Sequence, residues 1–291
     1  MLIITNSDAG GTRDDKVKTV AAELDHADIA QTATPGDLDA ALDHGHDTVV
    51  AAGGDGSLHA LANALYRRGE LGQRTVGLIP MGTGNDFART LGLPSDPIDA
   101  ARALMASSPR RLDVIVDDTG EVTVNAVHLG ASAEATVAAA AYKKALGPLG
   151  YPLGTLTAGV RTSGHRMRIA ADGRLVVPNR RVLMVALANG RFIGGGAELS
   201  PGSHLDDGTI DLIISRSMRL TRRARYAMAL ARGSHIAEHD VFHHRARQVT
   251  IYTTPATSSS DGETTEGVTH RSWTARPGAW NFLVPPGSSR A

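Results

Sequence analysis

Short apolar runs alternate with amphipathic stretches through the first third of the chain. Leu2–Thr5 is a strand-length run that ends in the turn-forming Asn6–Gly11, and Lys16–Leu24 then has helical spacing. Asp47–Gly54 and Thr75–Pro80 are further buried-strand runs, each followed by a glycine-rich turn and a helical pattern. Leu58, Leu61, Ala62 and Leu65 fall at i, i+3, i+4 and i+7, the stripe of a helix packed on a sheet. Strands alternating with helices predict a parallel sheet with crossover helices.

Near Asp113 the period changes. Leu112–Leu129 alternates with period two around a hairpin turn at Asp117–Gly120, and Arg166–Val177 repeats the pattern around Asp172–Gly173. Arg181–Gly190, Gly208–Ser215, Gln248–Thr254 and Trp280–Pro285 are further strand candidates, with helices expected over 131–146 and 221–232. The expected organisation is an α/β domain over 1–113, a mainly antiparallel β domain over 114–285, and a tail over 286–291 that packs back on the first domain. Thr253–Gly267 reads as a polar loop, and Trp273 and Trp280 as core or rim residues of the β domain.

Composition narrows the classes. The 291 residues are 42% hydrophobic and 21% charged, as in an ordinary globular protein long enough for two compact domains. Thirty basic residues balance thirty acidic ones, so bulk charge favours neither nucleic acid nor a membrane as partner. Cysteine is absent, which removes disulfides, thiolate metal sites and cysteine nucleophiles, and mildly favours a reducing compartment. The apolar run at the N-terminus is too short for a signal peptide, and no run reaches the roughly 18 residues of a membrane span.

Candidate chemistry sits in the turns. Gly53, Gly54 and Gly56 let backbone amides approach a phosphate, and the helix that follows adds its free N–H groups. Asp55 among them would repel bare phosphate; Mg²⁺ would remove that conflict, while a helix N-cap aspartate accounts for the turn equally well. Neither the G-x-G-x-x-G nor the Walker-A spacing is present. The stretch Leu78–Pro94 repeats the plan of strand, glycine turn and helix, with Asn85 and Asp86 at the entry. Two such turns after neighbouring parallel strands converge on one crevice.

Gly-Gly-Asp-Gly-Ser at 53–57 followed by Pro-Met-Gly-Thr-Gly-Asn-Asp-Phe-Ala-Arg at 80–89 resembles the diacylglycerol kinase catalytic-domain family, which includes bacterial lipid kinases and sphingosine and ceramide kinases. The resemblance runs nearly the whole chain. It includes Asn6–Gly11, with Ser7 in place of a usual proline, Arg110–Val114 with Asp113, and residues 146–156. It continues through Ala188–Ser215, with its glycine triplet and Asp-Asp-Gly, and Asp261–Glu263.

This resemblance implies an N-terminal Rossmann-like domain of the NAD kinase and phosphofructokinase kind and a C-terminal antiparallel β-sandwich. It implies transfer of the ATP γ-phosphoryl group to a lipid hydroxyl with Mg²⁺ present, diacylglycerol giving phosphatidic acid being the leading acceptor. Phosphatidylglycerol, a sphingoid base, a non-lipid alcohol, NAD, or binding without turnover are the alternatives. Gly53, Gly54, Gly56, Gly82 and Thr83 would hold ATP phosphates, with Asn6, Ser57 and Asn85 adding side-chain contacts. Asp55, Asp86 and Asp113 would hold active-site Mg²⁺ through water. Glu263 would be the general base and Asp261 its neighbour at the metal–nucleotide site, although Asp-Gly-Glu alone reads as a plain turn. Asp207, helped by Asp206 and Asp211, matches a structural metal position, although Asp-Gly there is also a hairpin signal. The acceptor would lie in an apolar channel of the β domain.

The implied partners are ATP and a lipid presented at a membrane surface, without nucleic acid and with a homodimer as the assembly to test. The implied place is the cytoplasm, with peripheral contact at the inner membrane face. Two departures stand out: His59 and Ala60 occupy positions where the family commonly has Asn-Glu, and Gly84 stands where threonine is frequent. The histidines between His235 and His244 have spacings that zinc could use, but read as a solvent-facing segment. The arginines from Arg216 to Arg225 read as a solvated helix face that could also meet anionic headgroups.

Overall fold

The computed structural model describes residues 1–6, 11–25, 27–131, 133 and 164–287. The turn at 7–10, nearly all of the helix expected over 131–146, the stretch 146–156 and the tail at 288–291 lie outside the described residues.

The first part contains β1 (Leu2–Asn6), α1 (Gly11–Glu23), β2 (Asp28–Thr32), α2 (Pro35–Leu42), β3 (Thr48–Gly53), α3 (Asp55–Arg67), β4 (Thr75–Pro80), α4 (Asp86–Thr90) and α5 (Pro97–Met105). The four strands are parallel, in spatial order β4-β3-β1-β2. Both faces of this sheet are covered, which is why β3 and β4 are apolar almost throughout. Ile3, Val50, Ala52 and Ile79 pack with α1 and α5 residues such as Val20 and Leu104, whereas Leu2, Val49, Ala51 and Leu78 pack with Leu42, Leu61 and Leu65 of α2 and α3. Thr34 starts α2 through a capping box: its Oγ1 accepts from Asp37 N, and the Asp37 carboxylate accepts from Thr34 N.

The second part follows as β5 (Ser108–Asp117), β6 (Val122–Thr123), β7 (Ala126–Gly130), β8 (His165–Ala171), β9 (Arg174–Ala188), β10 (Phe192–Ile193), β11 (Ala197–Glu198), β12 (Ile210–Arg216), α6 (Leu220–Ala231), β13 (Val241–Ala246), β14 (Gln248–Ser260) and β15 (Glu263–Val284). Its pairings are antiparallel. Asp172 and Gly173 both have positive φ, the backbone of the hairpin turn that their sequence signals. The polar stretch Thr253–Gly267 is not a loop. It forms the turn end of the β14–β15 hairpin, because threonine side chains suit a pleated surface as well as a turn.

β15 joins the two parts. Its first half pairs with β14; its last residues bulge at Arg276–Trp280, then run parallel to β4 with Asn281 opposite Thr75. Trp280 and Phe282 thereby enter the first core and meet Phe87 of α4, with ring centroids 4.8–5.8 Å apart. Both tryptophans are buried. Truncating Trp280 to alanine is expected to cost about 3–5 kcal/mol, as for other large aromatic deletions in a core. Chemical denaturation of Trp280→Ala checks this, and a loss under about 1 kcal/mol would contradict the packing described.

Candidate active site

β3 and β4 are neighbours with Gly53 opposite Pro80, so their C-terminal turns leave the sheet side by side. The two backbones touch: a Cβ on Gly82 would lie 2.5 Å from Gly54 Cα. The Asn85 side chain closes the second turn, its Oδ1 accepting from Gly82 N at 3.0 Å and its Nδ2 donating to Gly82 O at 2.9 Å. Asn85 is left-handed (φ 53°) and makes no side-chain cap for α4. Asp55 caps that helix instead from across the crevice, accepting from Asp86 N at 3.1 Å and Phe87 N at 3.0 Å. Asp86 accepts in turn from Gly195 N at 2.9 Å, in the glycine turn between β10 and β11. Burial, with the Asp55 charge beside it, raises the Asp86 carboxyl above the usual carboxylate range despite that bond.

A cleft of about 1080 Å³ opens beside these turns. Asn6, Gly54, Gly56, Ser57 and Gly82 line one wall, and Thr32–Pro35 close the sheet edge. Glu121, Glu263 and Thr265 come from the second part, with His59, Ala60 and Asn63 of α3 between. Asp261, at the β14–β15 turn, is fully enclosed. One of its carboxylate oxygens accepts from Asn125 N and Ala126 N, and the other from Val124 N at 2.7 Å, with His59 Nδ1 at 3.0 Å. The site is thus a glycine backbone cradle beside a set of acids and one imidazole.

A family model described as "Diacylglycerol kinase catalytic domain" matches residues 1–116, and one described as "YegS C-terminal NAD kinase beta sandwich-like domain" matches residues 125–284. The chain belongs to the diacylglycerol kinase and YegS-like lipid kinase family. Over 184 residues it is 36% identical to "Probable lipid kinase YegS-like" of Stenotrophomonas maltophilia, covering 60% of this chain and 58% of that protein. Over 208 residues it is 33% identical to a diacylglycerol kinase of Bacillus subtilis, covering 70% of this chain and 67% of that one. The crystal structure of a diacylglycerol kinase from Bacillus anthracis superposes with a TM-score of 0.78 at 25% identity, covering 99% of this chain and 98% of the other. An NAD kinase from Archaeoglobus fulgidus, solved with ATP, shares the fold at a TM-score of 0.56 and 12% identity, over 99% and 95% of the two chains. The two-domain arrangement of an α/β catalytic domain and a β-sandwich-like domain is that of this family.

The acids that the diacylglycerol kinase motifs highlight each have defined partners. Among the described residues no three His, Cys, Asp or Glu side chains gather as a metal-holding group. Asp55 and Asp86 approach each other, but Asp113 does not join them. It is buried under β15, accepting from Gly278 N at 2.7 Å and Gly208 N at 2.6 Å, with Asp206 as the acid acting on it. The reason is the β15 bulge, whose freed amide at Gly278 needs an acceptor. Two adjacent carboxylates that repel each other fit a cation carried in on nucleotide phosphates and met through water, rather than a protein cage. The Asp207 carboxylate accepts from Thr209 N and Oγ1 and is paired with the Arg245 guanidinium. Asp211 is likewise occupied, by Ser203 Oγ at 2.6 Å and His243 Nε2 at 2.5 Å. Asp261, beside Glu263 in sequence, has its oxygens taken up by backbone amides and His59.

Of the other highlighted positions, Gly53 ends β3 with its carbonyl accepting from Met81 N, Thr83 is exposed at the turn tip, and Asn85 serves the turn itself. Glu121, Asn63, Arg67 and Thr32–Pro35 also line the cleft, though the family motifs do not include them. Only Thr34–Asp37, a capping box beside a proline, carried a local signal. His235 is buried against Tyr226 rather than facing solvent, and His243 pairs with Asp211. Because Arg245 already neutralises Asp207, chelation by EDTA is expected to leave the thermal unfolding midpoint of the nucleotide-free protein unchanged. A drop of several degrees, reversed by Mg²⁺, would show a cation there.

Proposed function

We propose that the protein is an ATP- and Mg²⁺-dependent lipid kinase that moves the γ-phosphoryl group of ATP to a lipid hydroxyl. The observation that carries this reading is the single cleft in which the two touching glycine turns face Glu263 and Glu121. Gly54, Gly56 and Gly82 offer the polar backbone that phosphates require, with Asn6 and Ser57 as side-chain contacts at the same wall. Asp55 and Asp86 would hold the nucleotide-bound Mg²⁺, which would supply charge neutralisation. Glu263 is the exposed carboxylate at the acceptor side; it orients the hydroxyl and accepts its proton late in transfer. Phosphoryl transfer asks mainly for positioning and charge stabilisation, so a cradle and one acceptor carboxylate suffice in kind.

Diacylglycerol is the proposed acceptor, and the division between nucleotide and acceptor domains falls close to Asp113. Among the described residues no helix is long and apolar enough to cross a membrane. Access to a lipid is therefore proposed to be peripheral, at the inner face of the membrane.

The test is transfer of label from [γ-³²P]ATP to a panel of diacylglycerol, phosphatidylglycerol, sphingoid base and NAD. Label is expected on a lipid, with kcat in Glu263→Gln lowered about 10²–10⁴-fold. Label on NAD alone would remove the lipid-kinase reading, and full activity in Glu263→Gln would remove its role.

A further inference from the structure

His59 departs from the family pattern, and the structure gives it a defined setting. Asp261 is held by three backbone amides from Val124, Asn125 and Ala126, so its carboxylate is fixed as an acceptor. Its only way to bond His59 Nδ1 at 3.0 Å is to accept a proton from it. That fixes the neutral tautomer and leaves the lone pair on Nε2. Nε2 lies 3.2 Å from Asn63 Nδ2, an amide whose two hydrogens are shared with Val122 O at 2.9 Å and His59 O at 3.0 Å. The Asn63 amide cannot turn over, because its Oδ1 accepts from Val122 N. Nε2 is therefore an acceptor met by no more than a shared amide hydrogen, on a residue that lines the cleft together with Glu263.

Three acids surround this one imidazole. Asp261 stands at the β14–β15 turn, Glu121 Oε1 lies 3.8 Å from Nε2 between β5 and β6, and Glu263 acts from the start of β15. Asn63 on the same helix is neutral, and the remaining charge nearby, Arg271 of β15, pairs with Asp117 and lies 4.0 Å from Glu121. A proton on Nε2 would face Glu121 and the charge of Glu263 and would give up only the shared Asn63 contact.

We propose that the Asp261–His59 pair is the proton store of the cleft, with His59 Nε2 taking up, by way of Glu263, the proton that leaves the acceptor hydroxyl. The inference rests on the kinase reading above and names how that site disposes of its proton. As the acceptor oxygen bonds to the γ-phosphorus, the bond from that phosphorus to the β–γ bridging oxygen breaks and its electron pair leaves on ADP. The hydroxyl proton passes to the Glu263 carboxylate, then to Nε2, and from there to solvent when product leaves. Asp261 stays ionised throughout and stabilises the imidazolium through Nδ1–H, the base-and-orienter arrangement of other activated acceptors. His59 is thus a positioning and relay residue, one proton transfer away from substrate.

Burial alone would lower the His59 pKa, but the hydrogen bond and charge of Asp261, with Glu121 and Glu263, outweigh it and raise it above its ordinary value. The store must start empty, so kcat rises with pH through that ionisation. Stability has the opposite sign. The raised folded-state value makes charged His59 stabilising below the unfolded value of about 6.5, a contribution lost as pH rises through the folded value.

The test is the pH dependence of kcat for the wild type, His59→Asn and His59→Gln. The wild type is expected to show an acid limb above about pH 6.5. Both variants should lose that limb and fall about 10²-fold in kcat near pH 8, with KM for ATP unchanged. Variants that keep the wild-type limb overturn the proposal, as does a wild-type limb below that range. Should the variants fail to fold, the imidazole Cε1–H resonance of His59 in Glu263→Gln gives a second answer. Its titration is expected to move to lower pH when the neighbouring charge is removed, and an unmoved titration overturns the coupling. A wild-type protein that labels no lipid removes the kinase reading itself, whereas an active wild type with an unaffected limb removes only the proton store.

Discussion

Two hydrogen bonds from Asp86 N and Phe87 N to the Asp55 carboxylate hold the site together. They tie the turn after β3 to the turn after β4 and cap α4 from outside its own sequence. Bonds to an ionised acceptor contribute about 1.5–3 kcal/mol each, and here they also set the distance between two glycine backbones that already touch. Without that link, α4 would have no side-chain N-cap and Phe87 would lose its anchor beneath Trp280 and Phe282. The cradle and the first core therefore share one fastening.

The same device recurs. Asp86 fastens Gly195, Asp113 fastens Gly208 and Gly278, and Asp261 fastens Val124, Asn125 and Ala126. Each joins segments far apart in sequence at a place where a bulge or tight turn frees backbone amides. Burial penalises these carboxylates as charges and the amides offset part of that penalty; at Asp86 and Asp113 burial still prevails and holds the carboxyl above its ordinary range. Acidic motif positions can thus persist for architecture as much as for chemistry. Among the described acids that line the cleft, Glu263, Glu121 and Asp39 keep substantial exposure.

The alternation of strand and helix, the change of period near Asp113 and the pairing of two glycine turns were legible along the chain, because each depends on local periodicity and turn chemistry. The partners of the acids were not. Asp55 reads as an N-cap of α3 or a metal contact, and nothing near it in sequence points to amides 31 and 32 residues away. Arg245 opposite Asp207 is equally invisible, since it depends on β12 pairing with β13. Thr253–Gly267 misled for a different reason: its polar composition signals a loop, whereas its backbone completes a ladder with β15. His59 was visible only as a departure from pattern, and its meaning came from Asp261, two hundred residues later.

Calorimetric titration of Mg·ATP into Asp55→Asn, with Asp113→Asn as a fastening remote from the cradle, tests the central claim most directly. Asp55→Asn is expected to weaken ATP binding by more than about tenfold, near 1.4 kcal/mol, because the two turns lose their spacing. Asp113→Asn is expected to lower the unfolding midpoint while leaving ATP affinity within about twofold. Undiminished ATP binding by Asp55→Asn would contradict the account.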